Sequence, residues 1–268
     1  MKKVLGILGL IACISLSIVG CSSNGGDESN KGDENKSKEA VEINISAAAS
    51  LKDAMVKIEE EYKKVDENIK LVVNYGSSGS LQQQIEQGAP CDLFISAGKK
   101  QIDQLNEKGL LLSDTVKDLV KNDLVLIAPK ESKITSINDL TTENVKKIAV
   151  GEANSVPAGK YADEVLTNLN LKDKVQDKLV FAKDVKEVLA WVQSGNADVG
   201  FVYFSDTVKN DKINIVEKTS EDTHSPITYP VAVIKDSKKA DAAKKFEEFL
   251  FSNEGQEIFK EYGYKSVN

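Results

Sequence analysis

Residues 69–97 read IKLVVNYGSSGSLQQQIEQGAPCDLFISA, and no other stretch restricts the possible folds as tightly. The β-branched, apolar run 69–75 predicts a strand, Gly76-Ser77-Ser78-Gly79-Ser80 a turn, and 81–86 a short helix. The first turn of a helix carries N–H donors with no partner inside the helix, so such a joint aims backbone donors and hydroxyls at one spot. Anions are stabilised by that geometry. Taken singly, the joint fits either an anion site or an ordinary serine-capped helix. It is not a Walker phosphate loop, which needs a lysine after the last glycine.

The joint recurs along the chain. A strand is expected at 41–46, followed by Ala47-Ala48-Ala49-Ser50 and a helix over about 51–64, with Leu51, Ala54, Met55, Ile58, Tyr62 and Val65 on one apolar face and Ser50 at the N-cap. Ser77 and Ser78 stand in the same relation to the next helix. Successive strand–Ser–helix joints imply a parallel sheet whose carboxyl edge carries the serines. Further strands are expected at 93–96, 124–128, 148–150, 178–181, 198–204 and 229–234, with an edge strand at 213–216. Helices carry Ile102 and Leu105 up to Gly109, then Tyr161, Val165 and Leu169, then Val185, Val188 and Val192, and two more close the chain. Pro157 suits a first helical position, which leaves Ala158 and Gly159 as free donors. Gly159-Lys160 is no P-loop, because Tyr161 stands where Ser or Thr is required. This alternating α/β pattern has more units than one small sheet holds comfortably, so two lobes are expected.

Met1-Lys2-Lys3 and the apolar run 4–19 read as a secretory signal rather than a membrane span. Ile18-Val19-Gly20-Cys21 is similar to the lipobox of bacterial lipoproteins, which implies a signal peptide at 1–20 and a lipid on Cys21. Residues 22–40 hold no large apolar side chain, so 21–40 is expected to be a lipidated cysteine with a flexible tether. Such a tether keeps a domain at the outer face of the cell membrane. Cys91 is then the one thiol of the folded part, read as a small buried residue rather than a nucleophile. All 35 basic residues are lysine, and the net charge is −7. Nucleic acid is therefore excluded as a partner, and the bidentate fork that arginine offers to carboxylates and phosphates is missing. An anion would have to be held by local dipoles and hydroxyls against the overall field.

AAASL at 47–51, YGSSGSL at 75–81, QGAPCDLFISA at 87–97, VPAGKYA at 156–162, DVKEVLAWVQSGNADVGFVY at 184–203 and YPVAV at 229–233 strongly resemble the molybdate-binding proteins of ABC importers. The resemblance spans roughly 41–268. It implies a two-lobed periplasmic-binding-protein clamp of type II, each lobe a mainly parallel sheet flanked by helices, with two hinge crossovers. Lobe 1 would be 41–121 plus 228–268 and lobe 2 122–227. Carried over by motif, the molybdate ligands would be Ser50, Ser78, Ala158, Val185 and Tyr203. The implied partners are an ABC permease with its ATPase subunit, and the protein would act as a monomer. No cofactor is expected, and no metal bound directly by side chains, since the metal arrives only as the oxyanion.

The chemistry agrees with the resemblance. Molybdate and tungstate are fully ionised tetrahedral dianions at neutral pH, so a site of donors alone matches them, whereas a protonated oxyanion also needs an acceptor. Sulfate makes the same bonds from a smaller tetrahedron and stays open as an alternative ligand. An amino-acid binder would want arginine, and a ferric-ion binder clustered tyrosines. A serine-dependent hydrolase is the alternative from another class. It lacks a nearby base, because the sole histidine, His224, falls in the polar segment Glu221-Asp222-Thr223-His224-Ser225.

Overall fold

Apolar runs that alternate with amphipathic helices build two mixed sheets. The computed structural model describes residues 40–267, so the expected signal peptide, Cys21 and all of the expected tether but Ala40 lie outside the described residues. Strand β1 (Val41–Ala48) pairs in parallel with β2 (Ile69–Gly76) and β3 (Leu93–Ile95). The two remaining strands of this sheet come from distant segments. β10 (Thr228–Val233) runs antiparallel to β3 on one side and to β4 (Lys117–Lys121) on the other, giving the order β2-β1-β3-β10-β4. Four strands thus run one way and β10 the other, which is the mainly parallel arrangement expected.

The second sheet repeats the plan with the order β7-β6-β8-β5-β9. β5 (Leu124–Pro129) is its reversed strand, antiparallel to β8 (Val199–Tyr203) and β9 (Ile213–Lys218), while β6 (Ile148–Gly151) is parallel to β7 (Leu179–Ala182) and β8. The edge strand expected near 213–216 is β9. β4 was not foreseen.

Helices α1 (Lys52–Val65), α2 (Ser78–Glu86) and α3 (Lys99–Glu107) follow β1, β2 and β3. In the second lobe α4 (Pro157–Asn168) and the short α5 (Lys172–Val175) lie between β6 and β7, and α6 (Val185–Gln193) joins β7 to β8. Both α7 (Ala240–Leu250) and α8 (Asn253–Glu261) return to the first lobe, where Tyr62 of α1 meets Phe246 at 4.8 Å and Phe249 at 5.1 Å between ring centroids. Gly109 ends the segment after α3 at φ 68°, a left-handed conformation that glycine adopts without strain.

The chain passes from the first sheet to the second at Asn122-Asp123 and returns just before β10. The two crossings lie side by side, since the Asn122 N–H donates to the Ile227 carbonyl at 3.1 Å. The carboxyl ends of β1, β2 and β3 in the first sheet and of β6, β7 and β8 in the second lead into the residues that line one cavity between the lobes, where α/β folds place their ligands.

Candidate functional site

Each expected site residue sits at the carboxyl end of a strand, but the local geometry differs from expectation at several of them. After Ala48 the chain tightens into a single 3₁₀ turn, Ala49–Leu51, before α1 begins. Ser50 lies inside this turn and does not cap α1. Its Oγ is 2.9 Å from Tyr229 Oη, a buried partner on β10 that takes the hydroxyl away from the helix end, and Tyr264 Oη donates to the Ser50 carbonyl at 2.9 Å. Likewise the cap of α2 is Ser77, whose Oγ accepts the Ser80 N–H at 3.4 Å and donates to Ser80 Oγ at 2.8 Å. Ser78 is the first helical residue. Its Oγ accepts the Ala97 N–H at 2.9 Å, which leaves the hydroxyl proton to be donated elsewhere.

On the other lobe, Val156 precedes α4 and Pro157 opens it, as expected. The Gly159 N–H is already committed to the Val156 carbonyl at 2.9 Å, so of the two donors expected there Ala158 alone is left. At α6, Asp184 caps the helix by accepting the Glu187 N–H at 2.9 Å, while Glu187 accepts the Lys183 N–H at 2.8 Å. Ala158 and Val185 are therefore early helical residues whose N–H groups have no acceptor within their helices. Tyr203 is the last residue of β8. Its hydroxyl is buried and has no hydrogen-bond partner among the described residues.

These five residues line one cavity. Ser50, Ser77, Ser78 and Ala97 reach it from the first lobe, and Pro157, Ala158, Asp184, Val185 and Tyr203 from the second. It is small, about 10 Å³, about the room of one water molecule. Burial is nearly complete, with Ser78 0%, Ala158 1%, Tyr203 1%, Ser50 3% and Val185 4% exposed. Desolvation by burial pushes the Tyr203 hydroxyl well above its ordinary pKa, so it stays a neutral donor.

No lysine lines the cavity. Lys186, beside Val185, turns to Asp206 at 2.9 Å and to Asp53 at 2.8 Å. Burial pulls Lys186 down in pKa, but the two carboxylates outweigh it and hold the ammonium charged. Asp184 is the one carboxylate on the wall, and one of its oxygens is occupied by the helix cap. A wider cleft of about 770 Å³ near Lys186 and Tyr262 is open to solvent and walled by paired charges rather than convergent donors.

His224 lies away from the cavity, its Nε2 3.0 Å from Thr219 Oγ1 and its Nδ1 2.9 Å from the Ser225 carbonyl. Cys91 is partly buried, its Sγ 3.2 Å from the Leu93 carbonyl, and desolvation raises its thiol pKa, which disfavours the nucleophilic thiolate. Sequence reasoning missed Ala97, Asn122, Tyr229 and Tyr264 as parts of the site. Tyr229 opens the YPVAV motif, and a tyrosine in so apolar a strand needs a partner for its hydroxyl, which was the available signal.

Two α/β lobes joined by paired crossings, with donors converging on the crevice between them, define a solute-binding clamp. Residues 43–265 match the sequence model of the bacterial extracellular solute-binding protein family, and the chain belongs to that family of transport binding proteins. It is 45% identical over 251 residues to YvgL of Bacillus subtilis, provisionally named an ABC transporter substrate-binding lipoprotein, with 93% of each chain covered. Over 228 residues it is 40% identical to the molybdate-binding protein ModA of Escherichia coli, covering 83% of this chain and 88% of that one. A solved structure, the substrate-binding domain of a provisionally assigned molybdenum ABC transporter from Clostridium difficile, is 79% identical with a TM-score of 0.68, covering 85% of this chain and all of that one.

Proposed function

We propose that this protein captures molybdate, and tungstate with it, between its lobes and delivers the anion to an ABC permease driven by its ATPase subunit. The observation that carries this reading is the donor set: neutral N–H and O–H groups from both lobes surround a cavity that no lysine lines and whose one lining carboxylate, Asp184, caps α6. The ligands are the hydroxyls of Ser50, Ser78 and Tyr203 and the N–H groups of Ala158 and Val185. Each bond to a charged oxygen contributes roughly 1.5–3 kcal/mol, so five of them support sub-micromolar binding after the cost of closure. The 40% identity to a molybdate-binding protein supports the same ligand.

Lobe 1 is 41–121 with 228–268 and lobe 2 is 122–227, hinged where Asn122 meets Ile227. A ligand that touches both lobes binds the closed form better and shifts the population toward it. The protein acts as a monomer, without catalysis, held to the outer face of the membrane by a lipid on Cys21, as the lipoprotein name of YvgL suggests. Titration calorimetry with molybdate, tungstate, sulfate and phosphate tests the reading. Tight one-to-one binding of the first two, with sulfate far weaker, is the expected result. Equal affinity for sulfate would leave an oxyanion site without size selection, and no binding would overturn the function.

A further inference from the structure

The polar contacts behind Ser50 form a chain whose direction is fixed from its far end. Asn122, at the crossing between the lobes, accepts at Oδ1 the N–H groups of Asp123 at 2.9 Å and Ser205 at 3.4 Å. The other amide atom is therefore Nδ2, and its hydrogens go to Ser205 Oγ at 2.9 Å and Tyr229 Oη at 3.4 Å. With that donation received, the single proton of Tyr229 is free for Ser50 Oγ at 2.9 Å. Ser50, its oxygen already accepting, then turns its own proton to the cavity. Ser78 is set the same way by the Ala97 N–H. That donor belongs to the backbone, whereas the Ser50 chain runs through side chains.

We propose that Tyr229 and Asn122 are positioning residues that hold the Ser50 hydroxyl as a donor to the cavity, and so favour fully ionised oxyanions over protonated ones. The proposal rests on the oxyanion-binding reading above. An anion such as hydrogen phosphate carries a proton that needs an acceptor, and Ser50 Oγ, with one lone pair taken by Tyr229 and its own proton turned to the anion, is a poorer acceptor for it. Tyr229 is fully buried and T-stacked between Tyr203, at 5.5 Å, and Tyr264, at 5.4 Å, which holds its oxygen in place between Asn122 and Ser50.

Two substitutions break the chain differently. Tyr229→Phe deletes the donor to Ser50. Asn122→Asp keeps the Oδ1 acceptor but replaces the donating Nδ2 with a second acceptor, which draws the Tyr229 proton toward itself and reverses the chain. Both free Ser50 Oγ to accept. The test measures affinities of wild type and both variants for molybdate, sulfate and phosphate at pH 7, phosphate by competition. Expected is about a tenfold loss for molybdate and sulfate together with unchanged or tighter phosphate binding, so that molybdate-over-phosphate selectivity falls at least tenfold in each variant that folds. A general loosening of the site would instead weaken all three anions in parallel, and that result, or unchanged selectivity, overturns the proposal. Wild type that binds neither molybdate nor sulfate would overturn the reading beneath it and the proposal with it.

Discussion

Tyr203 and Ser78 show how much a single neutral group does here. Each brings a buried hydroxyl to the cavity, and Ser78 has its acceptor side filled by Ala97. Ser78→Ala and Tyr203→Phe should each weaken molybdate binding ten- to a hundredfold in calorimetry, about 1.5–3 kcal/mol per lost charge-assisted bond. His224→Ala, at a residue engaged with Thr219, Ser225 and the Tyr161 ring rather than with the cavity, should leave the affinity unchanged. A large loss there would revive a catalytic or direct ligand role for the imidazole. The hydroxyl of Ser50 belongs with the first group, but its effect travels through a partner 179 positions away.

That distance marks what local sequence can and cannot reveal about the elements. The strand–small residue–helix joints were legible because each of their signals lies within a dozen residues: an apolar run, a polar turn, then apolar side chains at helical spacing. Val156 and Pro157 open α4 as the sequence implies. β4, KDLVK, was not legible, because its apolar content is slight and its pairing partner, β10, lies more than a hundred positions later in the chain. For the same reason Ser50 looked like a helix cap, a local role, when a distant tyrosine claims its side chain. Packing between elements makes a further demand at α4. A Cβ added to Gly159 would stand 2.0 Å from the Gly151 carbonyl oxygen at the end of β6. Gly159→Ala should force α4 off the sheet, costing about 1–3 kcal/mol of stability, read as a lower melting temperature, with weaker anion binding because Ala158 moves as well.

For the molecule as a whole, the hinge region is also an electrostatic junction. Asp123, at the first crossing, pairs with Lys218 of the second sheet at 2.8 Å and with Lys265 near the C-terminus at 2.6 Å. Burial pushes its carboxyl up, but the two lysines outweigh burial and hold it below the ordinary 3.8. A depressed folded value means the stabilisation is complete above about pH 4 and is lost as pH falls through the folded pKa. Melting temperatures measured from pH 6 down to pH 3 should fall more steeply for wild type than for Asp123→Asn, which carries no titrating group there. Equal slopes would show that the junction contributes nothing to acid sensitivity. The lobes also meet directly, with the Gly79 N–H donating to the Ser155 carbonyl at 2.9 Å and Lys186 reaching across to Asp53. The neutrality of the donor set has a consequence for energetics outside the protein. Burial raises the hydroxyl pKa values of Tyr203 and Tyr229 far beyond physiological pH, and the remaining donors are serine hydroxyls and amides, so capturing a dianion neither takes up nor releases a proton. Heats of binding should therefore be the same in buffers of very different ionisation enthalpy, and the affinity of the clamp should not change between pH 6 and pH 8.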